Sequence, residues 1–325
     1  MTQGRWREQL SFDDALISDV ASRNARLARI DDLIDWSRVE AVLAPIYDAP
    51  AGQTSYPVLT LFKAQLLGQW YDLSDPALEA AIADRLSFRR FVGLPLDADV
   101  PDHSTLCRFR QELARRDLAE AAFEAVLDQI AAHGLVVKQG TLMDATLVEA
   151  RAGRPSYATG RAARSEVDPD ADWTRKHGRS TFGYKMHAGV DQGSGLIRRA
   201  VLTPAKTAES EVADALISGD ERAVYGDKAY ENKHRRARLK AQGINDRIMH
   251  RKHKHQSALP VWQQRRNALI RPIRAGVERV FGTLKRVYGY TRVRAYSLAI
   301  NRVQMLLLAT AYNLRRADRL THGPA

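Results

Sequence analysis

The chain has 325 residues, a length that suits two domains, and its 45% hydrophobic and 27% charged content is ordinary for a globular protein. No run of about 18 uncharged apolar residues predicts a membrane span, and Met1–Arg7 lacks the apolar core of a signal peptide. The single cysteine, Cys107, excludes an internal disulfide and a cysteine-rich zinc site, so we expect a cytosolic protein.

The net charge of +12 is concentrated in the last part of the chain. Residues 1–135 hold 14 basic and 21 acidic residues, residues 136–227 hold 13 of each, and residues 228–325 hold 23 basic and 4 acidic residues. A basic surface of this size predicts a polyanionic partner, because each neutralised phosphate releases counterions. Nucleic acid is the expected partner, and a solvated basic face or a ribosome-like RNA contact is the alternative.

The first 134 residues have the pattern of an all-helical domain. Apolar residues at helical spacing and capping residues predict five helices, over 31–46, 59–71, 75–91, 102–116 and 118–133. Arg108 and Arg110, in the fourth of these, are candidates for a recognition helix that reads DNA ends. The net acidic charge of this domain leaves dimerisation or packing on the rest of the protein as the competing role.

After Gly134 the pattern changes to that of an α/β domain over residues 135–325. Short apolar runs flanked by glycine predict strands at 135–137, 140–148, 184–191, 196–203, 223–226 and 246–250. A hairpin connects the third and fourth of these strands. Helices are expected over 210–218, 232–242, 259–270, 272–287 and 298–319. Residues 151–181 lack periodicity and predict a long, mobile basic loop, and the element order predicts a mixed sheet with helices.

Three acids in this second domain stand out by their surroundings. Asp144 and Asp227 lie within or directly after predicted strands, where an unpaired carboxylate is costly unless it binds a partner or a metal. Glu278 is the only acid between Asp246 and Asp318, in a segment full of cations. Carboxylates from strands and a helix can converge on two Mg²⁺ ions, for which Mn²⁺ can substitute, as phosphoryl transfer requires. Turn caps or salt bridges are the structural alternative.

The residues around these acids resemble a known family, the bacterial DDE transposases of the insertion sequence five family. Arg274, Glu278 and Lys285 match the R-x3-E-x6-K part of its signature, although Arg271 stands where the signature usually has tyrosine. The resemblance covers nearly the whole chain, and its other matches are GYKMHAGVD at 183–191, DKAY at 227–230, ERVFGTLKRVYGYTRVR at 278–294 and PDHSTLCRFR at 101–110.

The resemblance implies a ribonuclease H-like catalytic core preceded by a helical domain. It implies cleavage at the ends of a transposon, followed by attack of the freed 3′-hydroxyl on target DNA. Asp144, Asp227 and Glu278 would take the metal-ligand positions of this site. The implied partners are terminal inverted repeats and target DNA, bound by a homodimer with no role for a membrane, in the bacterial cytoplasm and in association with the nucleoid.

Other cations are candidates for contacts with DNA. Arg274 and Lys285 share a helix face with Glu278 and could hold a phosphate near the cut, or form ordinary surface pairs. Lys185 and His187 point to one side of a strand and could face the substrate or line a polar sheet face. Lys228, directly after Asp227, is a further candidate for a phosphate contact.

Two other features have competing interpretations. The run MHRKHKH at 249–255 is spaced loosely like a metal site, but its alternating cations favour a basic loop that faces DNA. Trp262 is expected in a core, with insertion beside DNA as the alternative.

Two other functions remain open from the sequence. One is a captured ribonuclease H-like nuclease that cuts DNA without joining it. The other is a non-catalytic DNA-binding regulator, in which the acids would be structural remnants.

Overall fold

The contacts within the chain divide it into two units. The computed structural model describes residues 2–3, 25–47, 54–152, 165–176, 178–252 and 256–323. Described residues within 1–135 and 306–325 form the first unit, and those within 136–305 form the second. The contacts therefore group the end of the last helix with the first unit, whereas the predicted division at residue 134 placed it in the second. No helix in the described ranges is both long and apolar enough to cross a bilayer.

The first unit is helical, as the sequence predicts. A two-residue strand β1 (Thr2–Gln3) pairs in parallel with β2 (Thr54–Ser55). The helices are α1 (Ala25–Leu33), α2 (Trp36–Leu43), α3 (Val58–Trp70), α4 (Asp75–Asp84), α5 (Leu86–Val92), α6 (His103–Arg115) and α7 (Leu118–Ala132), and α12 (Leu298–His322) joins them from residue 306 onward.

Helix α3 is the centre of this unit. From Val58 to Trp70 every residue except Leu59 is buried, which explains why its sequence is apolar on all sides rather than on one face. The Trp70 indole nitrogen donates to the carbonyl of Ala311 at 2.7 Å, so α12 is tied to this core helix. The Arg29 side chain, which is 30% exposed, donates from Nε to Oδ1 of the buried Asp318 at 2.6 Å.

Two predicted helices of this unit are each split into two. Asp35 interrupts the first, because its carboxylate accepts the N–H of Ser37 and so caps a new helix, α2. Arg85 separates α4 from α5 along the third predicted helix by its extended backbone, at φ −103°, ψ 109°, without a capping bond from its side chain. Capping at Asp35 and an extended residue at Arg85 therefore override the continuous apolar periodicity.

The second unit is built on a six-stranded mixed sheet. Its strands are β3 (Thr141–Glu149), β4 (Asp172–Lys176), β5 (Arg179–Asp191), β6 (Ile197–Pro204), β7 (Ala223–Gly226) and β8 (Asn245–Ile248). Its helices are α8 (Glu209–Val212), α9 (Lys233–Ala241), α10 (Val261–Arg274) and α11 (Gly276–Arg286).

The strand directions follow one scheme across this sheet. β5 runs antiparallel to β3, β4 and β6, whereas β3, β7 and β8 run parallel to one another. Three antiparallel strands, β6, β5 and β3, thus continue into two parallel strands, with helices in the connections. The predicted α/β fold class with a mixed sheet after a helical region is confirmed, and the strand order agrees with the ribonuclease H-like core that the resemblance implies.

Each face of β3 packs against a different helical layer. Met143 belongs to a buried cluster with Leu216, Tyr230 and Leu239, which come from the segments that follow β6 and β7 and from α9. On the other face, a side chain at Gly276 would come within 2.9 Å of Leu142, so the first turn of α11 lies directly on the strand. This close approach explains why glycine begins α11.

Three boundaries differ from the predictions. The predicted mobile loop 151–181 contains β4 and the start of β5, which pair with each other in antiparallel orientation; residues 153–164 and 177 lie outside the described residues. Residues 135–137 form no strand, and Asp191 instead accepts the N–H groups of Val137 and Lys138. The α10–α11 boundary falls at Ala275 rather than before Pro272, which α10 accommodates near its end.

Candidate active site

Strand pairing brings two of the three predicted acids together. β3 and β7 are parallel neighbours, with Thr141 opposite Val224 and Leu142 opposite Tyr225. Continuing this register by two residues places Asp144 beside Asp227, at the point where β7 ends. Asp227 itself caps the short turn that follows, since its carboxylate accepts the N–H of Ala229 at 2.7 Å.

The third acid is linked to the first by one arginine. The guanidinium of Arg274, at the end of α10, donates from Nη1 to Asp144 Oδ2 at 2.7 Å and from Nη2 to Glu278 Oε1 at 2.6 Å. Its side chain is 15% exposed, whereas that of Glu278, in the first turn of α11, is 58% exposed. The two acids therefore lie on either side of a single, mostly buried cation.

The surroundings of Asp144 disfavour its negative charge. Burial raises the pKa of its carboxyl group, and the nearby Asp227 charge raises it further, although Arg274 and the N–H of Ala145 oppose this rise. Two carboxylates held at adjacent strand positions repel each other unless a cation lies between them. The site thus has excess negative charge that Arg274 alone compensates only in part.

The other predicted cations differ in how they reach this site. Lys285, on α11, donates to the carbonyl of Leu147 on β3 at 2.9 Å, three residues beyond Asp144. Lys228 is exposed directly after Asp227. Both therefore lie near the acids, and their predicted contacts with DNA phosphates remain predictions.

The contacts of Lys185 and His187 with DNA stay predictions, and the strand register gives the face of the sheet on which the two side chains lie. Asp144 is opposite Ala188 on β5, whereas His187 is opposite Ala145. Because side chains alternate between faces, His187 and Lys185 lie on the face away from Asp144. Both are buried there: Lys185 bonds the carbonyl of Thr207 at 2.7 Å and the carboxylate of Glu209 at 3.1 Å.

His187 gives the fold a defined dependence on pH. It is fully buried, its Nε2 lies 3.0 Å from the Thr203 hydroxyl, and burial together with the Lys185 charge lowers its pKa to about 4. The unfolded chain, with a histidine pKa of about 6.5, binds the proton first as the pH falls. Stability is therefore complete above pH 6.5 and is lost towards pH 4.

We expect the free energy of unfolding to fall by about 2 kcal/mol between pH 7 and pH 5 through His187 alone. Denaturant titrations of the wild type and of His187→Gln, whose amide can keep the bond to Thr203, measure this term as the difference between their pH profiles. Parallel profiles for the two proteins would show that His187 does not titrate as its burial requires.

In the first unit, Arg108 and Arg110 have different environments. Arg108 is exposed on α6 and donates to Thr105 one turn earlier at 3.0 Å, so it remains a candidate for DNA contact. Arg110 instead forms a two-pronged pair with Asp75 of α4, at 2.7 and 2.5 Å, and also bonds Gln65. Arg110 therefore joins α6 to α3 and α4, and its predicted contact with DNA stays a prediction.

Arg110→Ala should lower the free energy of unfolding by about 2 kcal/mol, because it leaves Asp75 and Gln65 without their partner in a site that is 19–25% exposed. Arg108→Ala is the matched control on the same helix and should change stability by less than about 0.5 kcal/mol. Denaturant unfolding of both variants checks this difference, and equal losses would contradict the structural role of Arg110.

The histidine-rich run is only partly described. His250 is half-buried, its main-chain N–H donates to Asn267 Oδ1 at 2.8 Å, and its Nδ1 lies 3.5 Å from Glu231 Oε1. His253, Lys254 and His255 lie outside the described residues, so the prediction of a DNA-facing loop at 249–255 stays a prediction.

Sequence reasoning missed one residue that supports the site. Arg235 on α9 is 2% exposed and donates to the carbonyls of Tyr230 and Ser210 and to the carboxylate of Asp214. It thereby fixes the turn that begins at Asp227. In the sequence it is one of several arginines on a basic helix, and only the asparagine cap before that helix gave any signal of order.

Comparisons with known proteins identify two transposase domains in the chain. A family model described as a transposase DDE domain matches residues 136–314. A second, described as a transposase domain (DUF772), matches residues 15–112. Among solved structures, the chain is similar to a piggyBac transposase, seen by cryo-EM in a synaptic complex with hairpin DNA, at 10% identity and a TM-score of 0.44. That similarity covers 91% of this chain and 74% of the other.

Proposed function

The chain belongs to the family of transposases with a DDE domain, and from this premise we propose that Asp144, Asp227 and Glu278 are the acids of its active site. Members of this family are metal-dependent enzymes that cleave DNA and transfer its strands, so the chain is a DNA transposase. The assignment of these three residues, and of the insertion sequence five family on the R-x3-E-x6-K spacing, is our proposal.

One observation carries the proposal: a single guanidinium joins two acids that are far apart in the sequence. Arg274 bonds both Asp144 and Glu278, while the charge of Asp227 acts on Asp144. Three carboxylates that come from a strand, a strand end and a helix thus converge on one region of the second unit. If Arg274 only formed structural ion pairs with Asp144 and Glu278, a third acid beside them, Asp227, would not be needed.

The donors at this site suit a divalent metal, and we propose Mg²⁺, with Mn²⁺ as a substitute. All three acids offer hard carboxylate oxygens, and burial together with the nearby charge of Asp227 raises the pKa of Asp144, so a bound cation would stabilise its charged form. Among the described residues no three His, Cys, Asp or Glu side chains already stand together as a ligand group. Glu278 is held by Arg274 instead, and its exposure leaves it room to turn inward.

A bound metal pair supplies activation of the attacking oxygen and stabilisation of the leaving oxygen in phosphoryl transfer. The protein's own residues hold the carboxylates and orient the phosphate. Asp144 lies on β3 and Asp227 directly follows β7, so strand pairing holds the backbone that carries both carboxylates. Arg274 and Lys285 place positive charge along β3 beside the scissile phosphate, where they orient it and stabilise its developing charge.

We propose that the substrates are the terminal inverted repeats of a transposon and a target DNA. Two ends have to be processed together, which favours a homodimer on DNA. Such an enzyme would act in the cytoplasm of a bacterium, in association with the nucleoid.

A strand-transfer assay with precut ends tests the proposed function. The DNA would carry the inverted repeat that flanks the coding region, with a free 3′-hydroxyl, and supercoiled plasmid would serve as target. Joined products in the presence of Mg²⁺ are the expected result. Cleavage of uncut ends without any joined product would assign the protein to the nucleases instead, and DNA binding without either activity would make it a regulator.

Arg274 should compete with metal for the acids. Removing its charge with Arg274→Gln frees Asp144 and Glu278, so we expect Mn²⁺ to bind about tenfold more tightly, a gain of about 1.4 kcal/mol. Calorimetric titration measures this, with Arg271→Gln, an exposed arginine one turn earlier, as the matched control. Unchanged or weaker Mn²⁺ binding in Arg274→Gln would contradict the competition.

A further inference from the structure

A second basic site lies at the far end of β3. A cavity of about 260 Å³ opens there, beyond the last residues of the strand. Among the residues that the structure describes, its charged lining is Arg151, Arg179, Arg292 and one acid, Glu149. We propose that this cavity, here called the β3-end pocket, binds a backbone phosphate of the DNA whose end is cut at Asp144, and this inference rests on the proposed function.

The pocket carries more positive charge than its acid can neutralise. Each carboxylate oxygen of Glu149 forms an ion pair with a different arginine: Oε2 with Arg292 at 3.0 Å and Oε1 with Arg179 at 3.6 Å. Three arginines against one glutamate leave two positive charges in excess. The side chains of Arg179 and Arg292 are 82% and 60% exposed, so most of their N–H donors face solvent. An arginine has five such donors in a planar fork that matches the oxygens of a phosphate.

The fold keeps these arginines in place. Arg292 lies in a short parallel bridge with Glu149, since Glu149 donates to the carbonyl of Thr291 and accepts from the N–H of Val293. Arg179 begins β5, the neighbour of β3. Arg151 stacks over the ring of Tyr296, with 5.0 Å between its guanidinium carbon and the ring centre. Pre-arranged donors lose less entropy on binding a phosphate than free side chains do.

A line of cations connects the acids to the β3-end pocket. Arg274 contacts Asp144, Lys285 contacts the carbonyl of Leu147, and Arg292 contacts Glu149. The contacts of Lys285 and Arg292 lie on one edge of β3. On this edge β7 pairs only with the first two residues of β3, Thr141 and Leu142. The Lys285 contact and the bridge between Arg292 and Glu149 both involve the main chain of β3. A DNA backbone that leaves Asp144 along this edge therefore passes Lys285 and reaches the segment of Arg292, although the side chain of Glu149 lies on the face away from Asp144.

The length of the strand sets where the pocket meets the DNA. Five residues separate Asp144 from Glu149, which at about 3.3 Å each is about 17 Å. Duplex DNA advances about 3.4 Å per base pair, so the pocket reaches a phosphate within about five base pairs of the cut. A phosphodiester of the same duplex end is therefore within reach of the pocket.

Salt-dependent binding measured without metal tests the inference. The probe is a fluorescent 30-base-pair duplex that carries the flanking inverted repeat, in EDTA, so that catalysis plays no part. Arg179→Ala and Arg292→Ala should each weaken binding about fivefold, and the double variant should lower the salt slope by about one, as expected for the loss of one phosphate contact. Arg222→Ala is the matched control, because Arg222 is exposed in the same unit before β7, at the end away from Asp227.

Neutral phosphates locate the contact. Methylphosphonates placed one at a time along the duplex should weaken wild-type binding at one or two positions within about five base pairs of the cut. In the double variant Arg179→Ala/Arg292→Ala, methylphosphonates at these positions should no longer weaken binding, whereas their effect at other positions should be the same as in the wild type. Because both side chains are exposed, the variants should keep the wild-type melting temperature.

The outcomes separate this inference from the proposed function. If the wild type binds the duplex but both pocket variants match Arg222→Ala in affinity and salt slope, the β3-end pocket is not a phosphate site, and the proposed function stands. If the wild type does not bind the duplex at all, the proposed function fails and the inference fails with it.

Discussion

Asp144→Asn should slow Mg²⁺-dependent cleavage of end DNA by about a thousandfold or more, a loss of about 4 kcal/mol of transition-state stabilisation. The asparagine keeps the shape of the side chain and can keep the contact with the Ala145 N–H, but it offers a metal only a neutral oxygen. It also removes the repulsion from Asp227 that raises the pKa of Asp144. We therefore expect a melting temperature close to that of the wild type, as measured by calorimetry.

The chain offers a close control for this variant. Asp172 lies on β4, and its carboxylate accepts the N–H of the next residue, Trp173, at 2.7 Å, just as Asp144 accepts that of Ala145 at 2.9 Å. Asp172→Asn should leave cleavage within about twofold of the wild type. Equal cleavage rates for Asp144→Asn and the wild type would remove Asp144 from the active site.

Arg235→Met should lower the free energy of unfolding by about 4 kcal/mol, the loss expected when a buried charged partner is removed. Its guanidinium holds Tyr230, Ser210 and Asp214 at 2.5–2.7 Å, and methionine would leave two buried carbonyls without a donor. Because the turn after Asp227 loses its support, Mn²⁺ binding should also weaken. Denaturant unfolding and calorimetry check the two effects.

Arg238 provides the comparison, because it bonds the same oxygen of Asp214 from the exposed side. Its side chain is 44% exposed, against 2% for Arg235. Arg238→Met should therefore cost less than about 1 kcal/mol. Similar losses for both variants would show that the Asp214 ion pair, rather than the buried carbonyl contacts, accounts for the role of Arg235.

The sheet was predictable from the sequence because its strands are short apolar runs between turn residues. The prediction of β7 at 223–226 matches the structure, and β3 and the β5–β6 hairpin begin or end within a few residues of their predicted bounds. The proximity of Asp144 and Asp227 followed only once the parallel register was known. Pairing between distant segments is a tertiary property that local patterns do not encode.

Strand β4 was not predicted because its sequence lacks an apolar run. Its residues, 172–176, are mostly polar or charged, and such composition favours a loop in isolation. Pairing with β5 supplies the stabilisation that the composition lacks, and Trp173 packs against Phe182 with 5.3 Å between ring centres. Strands at a sheet edge depend on their neighbour more than on their own residues.

Charged side chains were the hardest to place. Arg110 and Lys185 looked like DNA contacts, yet each is held by an acid from another element, Asp75 and Glu209. Trp262 was expected in a core and is 59% exposed, with its ring 5.2 Å from that of His250. Sequence spacing gives the face of a helix or strand on which a residue lies, but not what covers that face.

The most direct test of the active site is to locate a metal ion in it. Crystals soaked in Mn²⁺ would be measured at a wavelength where manganese scatters anomalously. We expect an anomalous peak within about 2.2 Å of carboxylate oxygens of both Asp144 and Asp227, with Glu278 turned away from Arg274 towards it. A crystal that binds Mn²⁺ elsewhere but shows no peak between Asp144 and Asp227 would contradict the proposed site.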